Sequence, residues 1–165
     1  MATPTGEIRP TPDGRDLVIT RSLALPIGEV WGRLTDPDLT AGWYGTWQGE
    51  AGSGNSIRVQ MRFEEGEPWT TMLIEDCTAP IHLALSSTDQ IGVWRLEVSL
   101  QATDAGTDVQ LIHHLTSEYQ LAEIPQIGPG WEYYVDMFVA SCTHTEHPDF
   151  ADYYPALSDY YQQRA

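Results

Sequence analysis

Near the C-terminal end of the chain, Trp131, Tyr134, Val135, Phe138, Val139 and Cys142 recur at offsets of three and four. That spacing predicts a helix carrying a wide apolar stripe, and a stripe this wide must be buried against something large. Gly128-Pro129-Gly130 reads as the start of this helix. Pro148 reads as its end, and Pro155 as the opening of a last short one. The partner surface has to come from upstream, where the apolar period changes from 3.6 to 2.

Residues 15–25 alternate, with Leu17, Ile19 and then Leu23 or Leu25 on one side, and predict a strand. Pro26 suits a first helical position, and Ile27, Val30, Trp31 and Leu34 follow at helical spacing. Asp36-Pro37 reads as an N-cap and first-turn proline of a second short helix ending near Gly42. A glycine-rich loop follows over residues 45–54. About five antiparallel strands are then expected from the alternation. Ile57, Val59, Met61 and Phe63 define the first; residues 69–77, 82–87, 91–102 and 107–117 supply the rest. In the last two, Trp94, Leu96, Val98 and Leu100 share a face, as do Val109, Leu111, His113 and Leu115. Asp104-Ala105-Gly106 between them is hairpin chemistry. The expected fold is therefore α+β: a curved antiparallel sheet wrapped around a long C-terminal helix, with a two-helix insertion after the first strand. This helix-grip arrangement leaves a hollow wherever inward side chains do not fill it. Residues 1–14, with three prolines and almost no large apolar side chains, are expected to be a flexible arm ahead of a single domain over 15–165.

Charge narrows the choice of partner. The 165 residues carry 24 acidic and 8 basic side chains, a formal net charge of −16, and every basic residue is Arg. Such a surface repels phosphate backbones and anionic lipid heads, so neither nucleic acid nor a membrane is an expected partner. The start of the chain shows no secretory pattern, and no apolar run approaches a membrane span, which predicts a cytoplasmic protein with Cys77 and Cys142 as buried thiols. The sequence leaves a homodimer open.

No nucleophile stands beside a base in a recognisable motif, and there is no phosphate-binding or dinucleotide glycine loop. No catalytic set and no cofactor are expected. In Cys142-Thr-His144-Thr-Glu146-His147, a helix would put Cys142 and Glu146 on one face and His144 and His147 on another, so no metal site is expected there. Glu64-Glu65 and Glu75-Asp76 read as solvated pairs near strand ends. The candidate ligand-binding residues are those placed to wall the hollow: Trp43, Met61, Phe63, Leu85, Trp94, Leu96, Trp131, Tyr134 and Phe138, with His113 as the polar group among them. Aromatic walls with one or two polar groups suit a flat, largely apolar small molecule. Partly desolvated, His113 is expected to favour its neutral form. Tyr153, Tyr154, Tyr160 and Tyr161 are expected to anchor the tail on the domain.

The stretches LPIGEVWGRLTDPDLTAGWYGTW, GVWRLEVSL, GTDVQLIHHL and GPGWEYYVDMFVAS resemble the Hsp90-ATPase-activator-homologue branch of the START/Bet v 1-like (SRPBCC) superfamily. The likeness runs from about Arg15 to about Tyr161 and is closest to stand-alone bacterial members. It implies the helix-grip fold specifically and function only weakly. Three functions stand at this point. The first is a non-catalytic domain that binds an apolar or aromatic small molecule. The second, implied by the family name alone, is a chaperone-associated protein-binding module. The third is a polyketide cyclase-like enzyme using His113 and a cavity tyrosine as acid and base.

Overall fold

The computed structural model describes residues 2–90 and 92–165. Among them eight strands form one antiparallel sheet: β1 (Glu7–Thr11), β2 (Gly14–Leu23), β3 (Trp47–Gln48), β4 (Ser56–Gln60), β5 (Trp69–Thr78), β6 (His82–Thr88), β7 (Val93–Thr103) and β8 (Gly106–Leu115). Their spatial order is β1-β2-β8-β7-β6-β5-β4-β3, so β2, first of the long strands, closes onto β8, the last. Helices α1 (Ile27–Thr35) and α2 (Pro37–Thr40) follow β2. Then α3 (Glu118–Ala122), the long α4 (Ile124–Thr143) and α5 (Ser158–Gln162) follow the sheet. The helix-grip expectation holds.

Local chemistry places these elements. Asp36 caps α2 by accepting the Asp38 amide hydrogen at 2.9 Å, with Pro37 at the first helical position. The β7–β8 hairpin closes at Gly106, whose φ of +146° and 2.0 Å approach of an added Cβ to the Leu23 carbonyl leave room only for glycine. On β8 the alternation is complete: Thr107, Val109, Leu111, His113 and Leu115 are all buried.

Four expectations change. First, the proposed arm carries β1, which pairs with β2 from Glu7↔Val18 to Thr11↔Gly14. Pro10 is tolerated because β1 is an edge strand. Second, the long helix begins at Ile124, not Gly128, with Pro129 inside it. Gly128 is interior because the Tyr161 ring packs on it; an added Cβ would lie 2.4 Å from that ring. Third, α4 ends at Thr143, with His144 as a left-handed C-cap at φ 55°. Fourth, β4 stops at Gln60. Met61 and Phe63 continue the alternation in sequence but lie in the turn closed by Glu64 N–H to the Met61 carbonyl at 3.1 Å. Ile91, expected in the β7 segment, lies outside the described residues.

The core is divided. Phe138 and Cys142 of α4 pack with Leu23, Val30, Leu34, Leu100 and Val109, while Trp131 and Val135 pack with Leu17, Ile19, Leu115 and Tyr161. A third cluster, Ile57, Val59, Met72 and Ile74, is joined by Tyr44, Trp47, Leu83 and Leu85 but by nothing from α4. The long helix therefore rests on the β2–β8 side and does not fill the space over β4–β7.

One buried ionic knot ties both ends of the chain to α4. Glu132, 1% exposed, accepts hydrogen bonds from the Thr5 and Gly6 amides (2.7 Å each), from the Tyr161 hydroxyl (2.5 Å) and from Arg21 (3.0 Å). Burial opposes its charge, but these donors outweigh it and hold the carboxyl below its usual range. Tyr153 donates to Asp136 at 2.7 Å and Tyr160 to the Gly6 carbonyl at 2.8 Å, so these two and Tyr161 anchor the tail. Tyr154 is 38% exposed.

Candidate functional site: an apolar cavity under the long helix

The space that α4 leaves over the sheet is a cavity of about 160 Å³. Its floor is the inner face of the sheet: Ile57, Met72, Leu85, Leu96 and Val98 from β4–β7, with Ile19 from β2 and Val109 and Leu111 from β8. Trp131, Tyr134, Val135 and Phe138 roof it, because offsets of three and four put them on one face of α4. The side wall is Leu34 from α1, Thr40 from α2, and Trp43, Tyr44 and Trp47 from the following loop. Trp43 stands edge-on to Phe138 with centroids 5.0 Å apart, and Tyr44 lies 5.0 Å from Tyr134. Leu85, Leu96 and Val98 stay only half-buried although they face inward.

The wall is apolar because its polar atoms are turned to one another. Trp43 Nε1 donates to the Arg33 carbonyl (3.0 Å), Trp47 Nε1 to the Thr35 carbonyl (2.8 Å) and Trp131 Nε1 to His113 Nδ1 (3.0 Å). Thr35 and Thr40 hydroxyls bond back to the Trp31 and Pro37 carbonyls. Tyr134 donates to Glu64 at 2.7 Å. Burial, then the charge of Glu64, raises the Tyr134 phenol well above its ordinary value. Glu64 is exposed, as read from the sequence, and it also accepts from the wall residue Tyr134.

Of the candidate residues, Trp43, Leu85, Leu96, Trp131, Tyr134 and Phe138 line this cavity. Met61 and Phe63 do not, because β4 ends before them; Phe63 instead packs on His147 in a separate surface cleft with Arg33, Arg62 and His144. Trp94 and His113 do not line it either. Their inward direction was read correctly, but they lie beyond Trp131. His113 is wholly buried, its ring 5.3 Å from that of Trp94 and 6.0 Å from that of Trp131. With Nδ1 accepting from Trp131, a neutral ring carries its proton on Nε2, which has no partner. Burial, with a lesser contribution from the neighbouring charge of His114, pushes the His113 pKa down to about 4. The expected neutral imidazole is present, backing a wall residue. The residues missed were Tyr44, Trp47 and the inner face of β5, where the alternation of Met72 and Ile74 was the available signal.

A second arrangement crosses the opposite face of the sheet. Asp16, His114, Glu97, His82 and Asp76 come from β2, β8, β7, β6 and β5 and are joined end to end. His114 Nδ1 meets Asp16 at 2.7 Å and its Nε2 meets Glu97; His82 Nε2 meets Glu97 at 2.9 Å and its Nδ1 meets Asp76 at 2.5 Å. A register shift between Ile74 and Asp76 turns Asp76 to this face while Cys77 lines the cavity. Both nitrogens of each ring face carboxylates, which calls for imidazolium at both. His82 is raised above its ordinary pKa by its bond to Asp76, against burial, with help from Glu97. At His114 burial opposes the charge, and the bonds to Glu97 and Asp16 overcome it. Among the described residues no group of His, Cys, Asp and Glu has a geometry to hold a metal ion, and no helix is long and apolar enough to cross a membrane.

Solved structures share this architecture. CalU16 from Micromonospora echinospora matches with a TM-score of 0.75 at 23% identity, over 97% of this chain and 95% of that one. A protein encoded by gene BPP1335 of Bordetella parapertussis matches with a TM-score of 0.75 at 17% identity, over 99% and 93%. DynU16, described as a protein of the dynemicin biosynthetic locus, matches with a TM-score of 0.67 at 18% identity, over 82% of this chain and 50% of that one. At these identities the likeness is one of fold. A search of curated proteins found no match. The sequence pattern described as "Activator of Hsp90 ATPase homolog 1-like protein" spans residues 24–142, from the end of β2 through nearly all of α4. That span covers most of the sheet and the helix that roofs the cavity, and the chain belongs to this family.

Proposed function

We propose that the protein binds a small, flat, largely apolar molecule in the cavity under α4. The observation that carries this reading is a cavity of about 160 Å³ whose tryptophan, threonine and Tyr134 polar groups are satisfied within the protein, leaving the Tyr44 hydroxyl and the Cys77 thiol in its wall. Apolar cavities of about 150 Å³ stay dry and take up benzene-sized molecules, because water there would forfeit its hydrogen bonds. Leu85, Leu96 and Val98 keep apolar surface that a ligand would cover. We place this work in the cytoplasm, where Cys77 and Cys142, both free, stay reduced.

Thermal denaturation with toluene tests the reading. At ten times its dissociation constant a ligand adds about 1.4 kcal/mol, which raises Tm by about 3–6 °C for a domain of this size. Leu85→Trp fills the cavity and should abolish the rise while leaving the fold intact. No rise in the native protein, or an equal rise in the filled variant, would refute the site.

A further inference from the structure

The lining of the cavity has one polar side chain whose hydroxyl is free. Trp43, Trp47, Trp131, Thr35, Thr40 and Tyr134 each donate within the protein. Tyr44 lines the cavity, yet its hydroxyl makes no hydrogen bond to any described residue. A phenol is both a donor and an acceptor, and both capacities of this one are left open by the protein. Its neighbours decide what it can meet. The Tyr44 ring is 5.0 Å from that of Tyr134, and the Tyr134 hydroxyl donates to the Glu64 carboxylate at 2.7 Å. Having donated its hydrogen, Tyr134 retains only lone pairs, and Glu64 contributes a negative charge. Burial, and then that charge, push the Tyr44 phenol up to about 12, so it stays protonated.

Resting on the proposal that the cavity binds an apolar molecule, we infer that Tyr44 is its specificity residue, selecting aromatic ligands that bear a neutral hydrogen-bonding group such as a phenolic hydroxyl and rejecting carboxylates. An anionic head placed at Tyr44 would give up its hydration in an apolar cavity and would meet the like charge of the exposed Glu64 at its edge. A neutral hydroxyl either accepts from Tyr44 and donates to the Tyr134–Glu64 pair, or donates to the Tyr44 oxygen. An unsubstituted ring fills the cavity but leaves Tyr44 unpaired.

Three probes that share a tolyl ring, toluene, p-cresol and 4-methylbenzoate, separate these cases when titrated into the protein and into Tyr44→Phe by NMR. The expected result is p-cresol about threefold to tenfold tighter than toluene, the usual net worth of one hydrogen bond, with 4-methylbenzoate weaker than both. Tyr44→Phe should erase the p-cresol advantage, so that the ratio of p-cresol to toluene affinity measured on the variant falls to about one. If toluene binds but p-cresol gains nothing, if the gain survives Tyr44→Phe, or if 4-methylbenzoate matches p-cresol, the role of Tyr44 is refuted while the cavity reading stands. If none of the three binds, both fall.

Discussion

Acidification isolates the energetics of His113. The group is neutral in the folded protein because it is wholly buried and because its Nδ1 already accepts from Trp131 Nε1 at 3.0 Å. Protonating Nδ1 would set two N–H groups against each other. With a folded pKa of about 4 against the ordinary 6.5, the unfolded chain takes up a proton that the native state refuses. A depressed folded pKa contributes stability that is fully present above about pH 6.5, falls as the pH drops, and levels off below about pH 4. Integrating this linkage gives a loss of about 2 kcal/mol at pH 5 and about 3 kcal/mol at pH 4. The carboxylates and the two outer-face histidines titrate in the same range, so the assay is a difference. Urea denaturation of the native protein and of His113→Phe is measured at several pH values between 4 and 7.5. His113→Phe removes the acceptor for Trp131 at every pH, which offsets the curves by a constant. The stability gap should then close, or reverse, by about 3 kcal/mol towards pH 4. A gap independent of pH, or an NMR titration giving His113 the pKa of an exposed histidine, would refute the reasoning.

Phe138→Ala should destabilise by about 3–5 kcal/mol in chemical denaturation, because the ring is 4% exposed between Trp43 and the β2–β8 core; a change under 1 kcal/mol would contradict the packing. Glu132→Ala should cost about 3–5 kcal/mol, since it strands the Thr5 and Gly6 amides, Tyr161 and part of the Arg21 charge at once. Limited proteolysis should then cut both chain ends first. On the outer face, His82 and His114 have raised pKa values, so their stabilisation is complete below about pH 6.5 and is lost as the pH rises through the folded values. Replacing both with Gln should flatten the alkaline decline in Tm; an unchanged decline would show that the ladder does not titrate there.

The sheet and its insertion were legible because their signals are local. Period-2 alternation marked β7 and β8 residue by residue, and Asp36-Pro37 marked the start of α2. The misreadings arose where pattern and geometry part. Met61 and Phe63 extend the β4 alternation, but the turn beginning at Met61 takes the backbone out of the sheet. β1 has almost no apolar pattern to read, since an edge strand buries little. The helix start moved because Gly128 serves the packing of Tyr161, a contact across half of the C-terminal region. The inward face of β6 and β7 was correctly assigned, yet whether it is covered depends on how far α4 leans towards β2. That displacement is held by the Glu132–Arg21 knot and by the edge-on, hydrogen-bonded contact of Trp131 with His113. The five-strand ladder needs the register of four pairings at once, and no sequence window contains it.

The central claim is that the space between the inner face of β4–β7 and α4 holds a small aromatic molecule. Crystals soaked with bromobenzene test it directly through the anomalous scattering of bromine. The account predicts a bromine peak inside the cavity, between Leu85 and Leu96 on one side and Trp131 and Tyr134 on the other. A cavity with no bromine in it, at concentrations that saturate the thermal shift, would contradict it.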